Sequence, residues 1–110
     1  MTLFRLVQTA SDEMRYSTLT AAAPIVGVMG PAQASPDILD LAYELGYQIA
    51  CHRWILLTGG RMAGVMAAAC AGAAAAGGIS VGILPGDDWS QVDPNVTIPI
   101  LTGMGSARNQ

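Results

Sequence analysis

The chain has no lysine. All five of its basic residues are arginine, set against eight carboxylates for a net charge of −3. A general nucleic-acid binder needs a basic face, which five arginines in such a chain cannot build. Charged residues make up only 12% of the 110 positions, about half the usual share. Aromatics are scarce at 5%, and there is a single histidine, His52. The two cysteines, Cys51 and Cys70, form no CxxC pair, so neither a disulfide framework nor a zinc spacing is present and no metal site is expected. Both thiols are expected to be buried, in a reducing, cytoplasmic setting. Cys51 and His52 are adjacent, but helix neighbours point about 100° apart and do not meet as a nucleophile–base dyad. Cys51 reads as core and His52 as a polar residue near a helix end.

What the chain does have is apolar residues, 52% of the total, which excludes disorder. Its length suits one domain, able to bury roughly two-thirds of its extended surface. Residues 62–86 carry no charge and are long enough to span a bilayer. They are mostly alanine and glycine, however, with Gly77-Gly78 breaking the run and Pro85-Gly86 closing it. The stretch therefore reads as a buried helix followed by a buried strand, and no membrane association is expected. "PAQA" at 31–34 resembles a signal-peptidase site, but Asp12, Glu13 and the interruptions at Pro24, Gly27 and Gly30 argue against a secretory leader.

Residues 1–23 read as an N-terminal segment, strand or linker. From residue 24 onward strands and helices alternate. "PIVGVMG" (24–30) has the continuous apolar character of a strand buried on both faces. Ser35, Pro36 and Asp37 make a helix start, as N-cap, first-turn proline and acidic first turn. Ile38, Leu41, Ala42, Leu45 and Ile49 follow at helical spacing. Gly46 either ends that helix early or lies inside it. "WILLTGG" (54–60) is a second strand, 62–76 a second helix of small residues stopped by Gly77-Gly78. "ISVGILPG" (79–86) is a third strand, and "VTIPILTGMG" (96–105) a fourth with Pro99 marking an edge or an irregularity. This alternation builds a parallel α/β sheet with right-handed crossovers.

Each glycine-rich turn follows the carboxyl end of a strand: Gly30, Gly59-Gly60, Pro85-Gly86 and Gly103 to Gly105. That edge of an open α/β sheet is where ligands bind. With no lysine, a phosphate would be held by backbone N–H groups, a helix N-terminus and one or two arginines. "GGRMAG" is not a Walker motif, since no Gly-Lys-Ser/Thr follows, nor is it the dinucleotide fingerprint, which follows a first strand.

"TGGRMAGVMAAA", "GGISVGILPG" and "TGMGSARNQ", in that order and spacing, resemble the LOG-like (Lonely Guy, "lysine decarboxylase-like") nucleotide-binding family. That family includes cytokinin-activating phosphoribohydrolases and molybdenum cofactor carrier proteins. The resemblance covers about residues 24–110 and is nearest to the uncharacterised bacterial and carrier-protein branch, whose last motif reads GMG-x-ARN. It implies a Rossmann-like three-layer α/β/α domain with a mainly parallel sheet, dimeric or of higher order through its helices. This chain corresponds to the N-terminal part of such a domain, truncated after about four strands. The resemblance also implies that Gly59, Gly60 and Gly64 shape a nucleotide or phosphate pocket and that Met66 is the methionine following that motif. Arg108 matches an active-site arginine of the hydrolase branch. Asn109 stands where the hydrolases have lysine, and the Gly-Gly-x-Gly-Thr motif with its catalytic glutamate is absent from these 110 residues.

The expected ligand-binding residues are thus Gly30, Gly59, Gly60, Arg61, Gly64, Gly86, Gly103 and Met104, with Arg108 the candidate catalytic residue. Asp87 and Asp88 read as solvated loop carboxylates and Asn95 as a turn residue. The leading functional expectation is a protein that binds a small phosphorylated ligand, an AMP-like nucleotide or the molybdenum cofactor, as carrier or sensor. The alternatives are a nucleoside 5′-monophosphate phosphoribohydrolase and a remnant domain that only pairs with another chain. Hydrolysis needs a carboxylate to assist water, yet the only glutamates are Glu13 and Glu44.

Overall fold

The computed structural model of the protein describes residues 23–105. Residues 1–22 and the candidate Arg108 lie outside the described residues. The elements are β1 (Ile25–Gly27), α1 (Pro36–Cys51), β2 (Ile55–Thr58), α2 (Gly64–Ala75), β3 (Ile79–Leu84) and β4 (Ile98–Leu101). The strands lie in the order β1-β2-β3-β4 and every neighbouring pair is parallel. The expected Rossmann-like parallel sheet is therefore present, with β4 and its Pro99 at an edge.

Local chemistry explains where α1 begins. The Ser35 hydroxyl accepts the Ile38 N–H at 3.4 Å, Pro36 occupies the first turn, and Asp37 faces the helix N-terminus. Gly46 does not end the helix, which continues to Cys51. Arg53 just beyond it adopts a left-handed backbone, φ 62°, where glycine is usual.

The packing face of α1 differs from the one its large residues imply. Ala42, Gly46, Ile49 and Ala50 are buried, whereas Ile38, Leu41 and Leu45 are exposed, Leu41 to 65%. The reason is the close approach of α2. A Cβ on Gly46 would collide with the carbonyl oxygen of Ala69, and one on Gly72 with that of Tyr43. Helices this close can present only small residues to each other, so the leucines turn outward. Cys51, one residue past Ala50, is carried out of the interface too and is exposed; only Cys70 is buried.

Both helices cover one face of the sheet. Leu56 and Thr58 of β2, with Ser80 and Leu84 of β3, point into that layer and are buried. Residues 85–97, linking β3 to β4 without a helix, fold over the same side and contribute Val96 to the core. Alternate strand residues point to the opposite face, which no described residue covers. No described helix is long and apolar enough to cross a membrane.

The helix contact can be tested by thermal unfolding. Gly46→Val forces side-chain atoms into a backbone carbonyl that cannot rotate away, and should cost about 1–3 kcal/mol or more. For a domain of this size each kcal/mol lowers Tm by roughly 4–8 °C. Gly86→Ala, where an added Cβ meets nothing within 4 Å, should leave Tm nearly unchanged.

Candidate functional site

The structure gathers the predicted residues that it describes into two clusters along the carboxyl edge of the sheet. The first is built around the turn after β2. Thr58, fully buried, accepts the Gly60 N–H on its hydroxyl at 3.0 Å, and the Gly59 N–H donates to the Met66 sulfur at 3.2 Å. Gly60 has φ +79°, and a Cβ there would lie 2.6 Å from the Leu84 side chain, so only glycine fits. Its carbonyl accepts the Asp93 N–H at 2.9 Å, and the Arg61 backbone bridges to Val92. The 85–97 loop is thereby pinned to the turn.

The same turn is locked to the loop after β1. Gly64 has φ +60°, and a Cβ there would strike the Pro31 carbonyl, which already accepts the Val65 N–H at 3.2 Å. A Cβ on Gly30 would lie 2.6 Å from that of Val65. Gly30, Gly60 and Gly64 are thus demanded by close packing, and together they make the ends of β1 and β2 one rigid unit. The Arg61 side chain is exposed beside it and is the one described cation at this edge, since Arg53 follows the far end of α1.

The second cluster joins the ends of β3 and β4. The Gly103 N–H donates to the Gly86 carbonyl at 2.9 Å and the Gly105 N–H to that of Pro85 at 3.0 Å. The Thr102 hydroxyl donates to the Leu84 carbonyl at 2.6 Å and accepts the Met104 N–H at 3.2 Å. Gly103 turns with φ +65° beside Asp87, and Met104 is exposed. Gly86 is different, because it is exposed with open space where a side chain would be. Asp88 closes its own turn. It accepts the Ser90 hydroxyl and N–H, and these bonds hold its carboxyl below the ordinary value. That state suits a fixed loop anchor rather than an acid–base group.

A cavity of about 650 Å³ opens next to the first cluster, between the loop after β1, α2 and the turn at 93–95. Among the described residues, Gly64 is the only predicted site residue that borders it; Gln33, Met62, Ala68, Asp93 and Asn95 also do. The two glycine clusters therefore line an open edge, and the cavity lies beside that edge rather than at its centre.

Two polar residues escaped the sequence reading. Asp93 is 3% exposed, and its carboxylate accepts the Asn95 N–H at 2.8 Å in an Asx turn. Thr58 holds the glycine turn from below. The Asp-Pro-Asn spacing signals the turn, but only contact with Gly60 shows what it anchors. Between them lies Cys70, 3.6 Å from the Thr58 hydroxyl. Burial pushes its thiol up, and the nearby Asp93 charge adds to this, against opposing hydrogen bonds from Thr58 and Ser80. Little of Cys70 is thiolate at neutral pH. A maleimide reagent should label Cys51 in the native protein and Cys70 only after unfolding; mass mapping that finds Cys70 labelled first would contradict this arrangement.

The model of the SLOG cluster4 family matches residues 23–110. An uncharacterized protein of Archaeoglobus fulgidus is 37% identical over 84 residues, covering 76% of this chain and 54% of the relative. The solved structure of the molybdenum cofactor binding protein from the phototrophic bacterium Rippkaea orientalis is similar with a TM-score of 0.77 at 52% identity, covering 80% of this chain and 55% of that one. The Moco carrier protein from Chlamydomonas reinhardtii is similar with a TM-score of 0.72 at 55% identity, covering 78% and 53% respectively. The chain thus spans about half the length of these relatives. Its parallel α/β sheet is that of a LOG-like domain, and the chain belongs to the SLOG cluster4 family.

Proposed function

We propose that this protein binds the molybdenum cofactor as cargo, holding the phosphate of that ligand at the carboxyl edge of the sheet. The observation that carries this reading is the identity of 52% and 55% to a molybdenum cofactor binding protein and a Moco carrier protein. The geometry supports a backbone-based anion site. Gly86 leaves its peptide open to an approaching ligand. α2 begins at this edge, where its dipole adds positive potential, although its Val65 N–H already donates to the Pro31 carbonyl. Arg61 adds the cation that the absence of lysine makes scarce. An AMP-like nucleotide presents the same phosphate chemistry and is the competing cargo.

The hydrolase alternative finds no support in the described residues. Glu44 is exposed midway along α1, where it accepts a hydrogen bond from Gln48 at 2.9 Å, away from the glycine turns. Within this reading the protein is a cytoplasmic homodimer or higher oligomer, for which the exposed Ile38, Leu41 and Leu45 of α1 offer an apolar stripe.

Calorimetric titration of the full chain with molybdenum cofactor and, separately, with AMP tests the cargo. Saturable binding of the molybdenum cofactor in preference to AMP is expected. Gly86→Val should abolish it without altering the fold, because its side chain enters space that no described residue occupies. Arg61→Ala should weaken binding roughly tenfold or more, the scale of one charge-assisted contact. Unchanged affinity in Gly86→Val, or no binding by the wild type, would overturn the proposal. Light scattering on the same samples reads the oligomeric state.

A further inference from the structure

The cavity beside the glycine edge contains a carboxylate that the fold by itself does not require. Its floor is apolar, made by Leu39 and by Ala68 and Ala71 of α2, whose small side chains leave the space unfilled. A volume of about 650 Å³ is within the usual range of small-molecule sites. The polar lining comes from Asp93 and Asn95 in the 93–95 turn and from Gln33 in the loop after β1.

Asp93 is held at three points. Its N–H donates to the Gly60 carbonyl at 2.9 Å, its carbonyl accepts the Val96 N–H at 3.0 Å, and its Oδ1 accepts the Asn95 N–H at 2.8 Å. Among the described residues Oδ2 has no hydrogen-bond partner, and no cation pairs with the carboxylate. Yet every buried side-chain oxygen of the described residues does have a partner. Oδ2 is therefore the part of this residue, 3% exposed as a whole, that opens outward, and the surface that Asp93 lines is the cavity. The turn does not ask for a charge, since asparagine closes an Asx turn as aspartate does. A carboxylate taken out of water is costly unless donors or a cation compensate it. Asp93 is thus a rigid acceptor with unused capacity, set above an apolar floor.

Two adjacent N–H donors on a flat ring fit such an acceptor. A ring with a 2-amino-4-oxo edge, as in pterins and guanine, presents an amino group and a ring N–H side by side, matched to the two oxygens of a carboxylate. Adenine instead presents an amino group next to a bare ring nitrogen, whose lone pair repels a carboxylate oxygen. The amides of Gln33 and Asn95 bring donors for the ring carbonyl. We propose that the cavity holds the fused ring of the cargo, with the Asp93 carboxylate accepting its amino and ring N–H groups and selecting a 2-amino-4-oxo ring over adenine. Gly64 borders both the cavity and the turn after β2, so a ring held here leads its phosphate to the glycine edge. The role of Asp93 rests on the cargo reading above and supplies the reason a pterin is preferred to AMP.

Calorimetric titration of the full chain with molybdenum cofactor, GMP and AMP tests the cavity. GMP shares its ring edge with the pterin and its phosphate with AMP. The cofactor and GMP are expected to bind about ten- to hundredfold more tightly than AMP, the scale of hydrogen bonds to a charged acceptor. Asp93→Asn keeps the Asx turn, so the thermal transition and the affinity for AMP should be retained while the cofactor and GMP fall to the AMP level. Ala71→Leu fills the cavity floor with Asp93 left in place and should also remove the advantage of GMP, whether or not the turn tolerates asparagine. Equal affinity of the wild type for GMP and AMP would overturn the proposal, as would an undiminished GMP preference in either variant. Tight cofactor binding that Asp93→Asn leaves intact removes this site but leaves the cargo reading standing. A GMP preference lost in Asp93→Asn, with no binding of the cofactor, removes the cargo but leaves the site. A wild type that binds none of the three overturns both.

Discussion

The close contact between α1 and α2 is the constraint on which the rest of the molecule depends. Gly46 against Ala69 and Gly72 against Tyr43 let two backbones meet where any side chain would hold them apart. Because α2 is pressed inward, its first turn reaches the loop after β1, where Gly64 meets Pro31 and Val65 meets Gly30. The ends of two strands are thereby tied together through a helix start. The cost appears on the outside, where the large residues of α1 have no place in the interface and face solvent.

Beneath the glycine turn lies a small polar layer in an otherwise aliphatic core. Thr58, Ser80 and Asp93 are all buried, and among the described residues no buried side-chain nitrogen or oxygen lacks a partner. Thr58 supports Gly60. The Ser80 hydroxyl donates to the Asn95 carbonyl at 3.2 Å, and the Thr97 hydroxyl accepts the Ser80 N–H at 3.0 Å. Buried polar groups carry a desolvation penalty unless they are satisfied, so a fully satisfied set specifies one arrangement of the chain. Here that arrangement is the 85–97 loop lying against the turn, doing by hydrogen bonds what a helix would do by apolar packing. A chain so poor in charge fixes the carboxyl edge of its sheet in this way, through backbone held rigid by neighbours.

The strands and helices were readable because each has a local cause. Ser35-Pro36-Asp37 starts α1, Gly77-Gly78 stops α2, and the aliphatic runs mark strands whose bounds moved by a few residues at most. The glycine turns were legible as positions at the sheet edge, but what each glycine does there was not. Gly30, Gly60 and Gly64 look alike in sequence to Gly86, yet the first three are filled against by Val65, Leu84 and Pro31 while Gly86 stands open. No spacing rule carries that distinction, since each collision involves a residue remote in sequence or brought near by the fold. The same holds for Asp93, an ordinary turn residue by its neighbours and a buried anchor by its contact with Gly60.

By itself, then, the sequence determined the alternation of strands and helices, the parallel sheet, and the gathering of the glycine turns at one edge of it. These follow from periodicity, capping and composition, which act over a few residues at a time. Only the tertiary structure decided which face of α1 is buried, which glycines are structural, and that all the described helices lie on one side of the sheet. Those outcomes depend on how closely two backbones approach and on the hand of the crossovers, which are properties of elements in space and not of any segment alone.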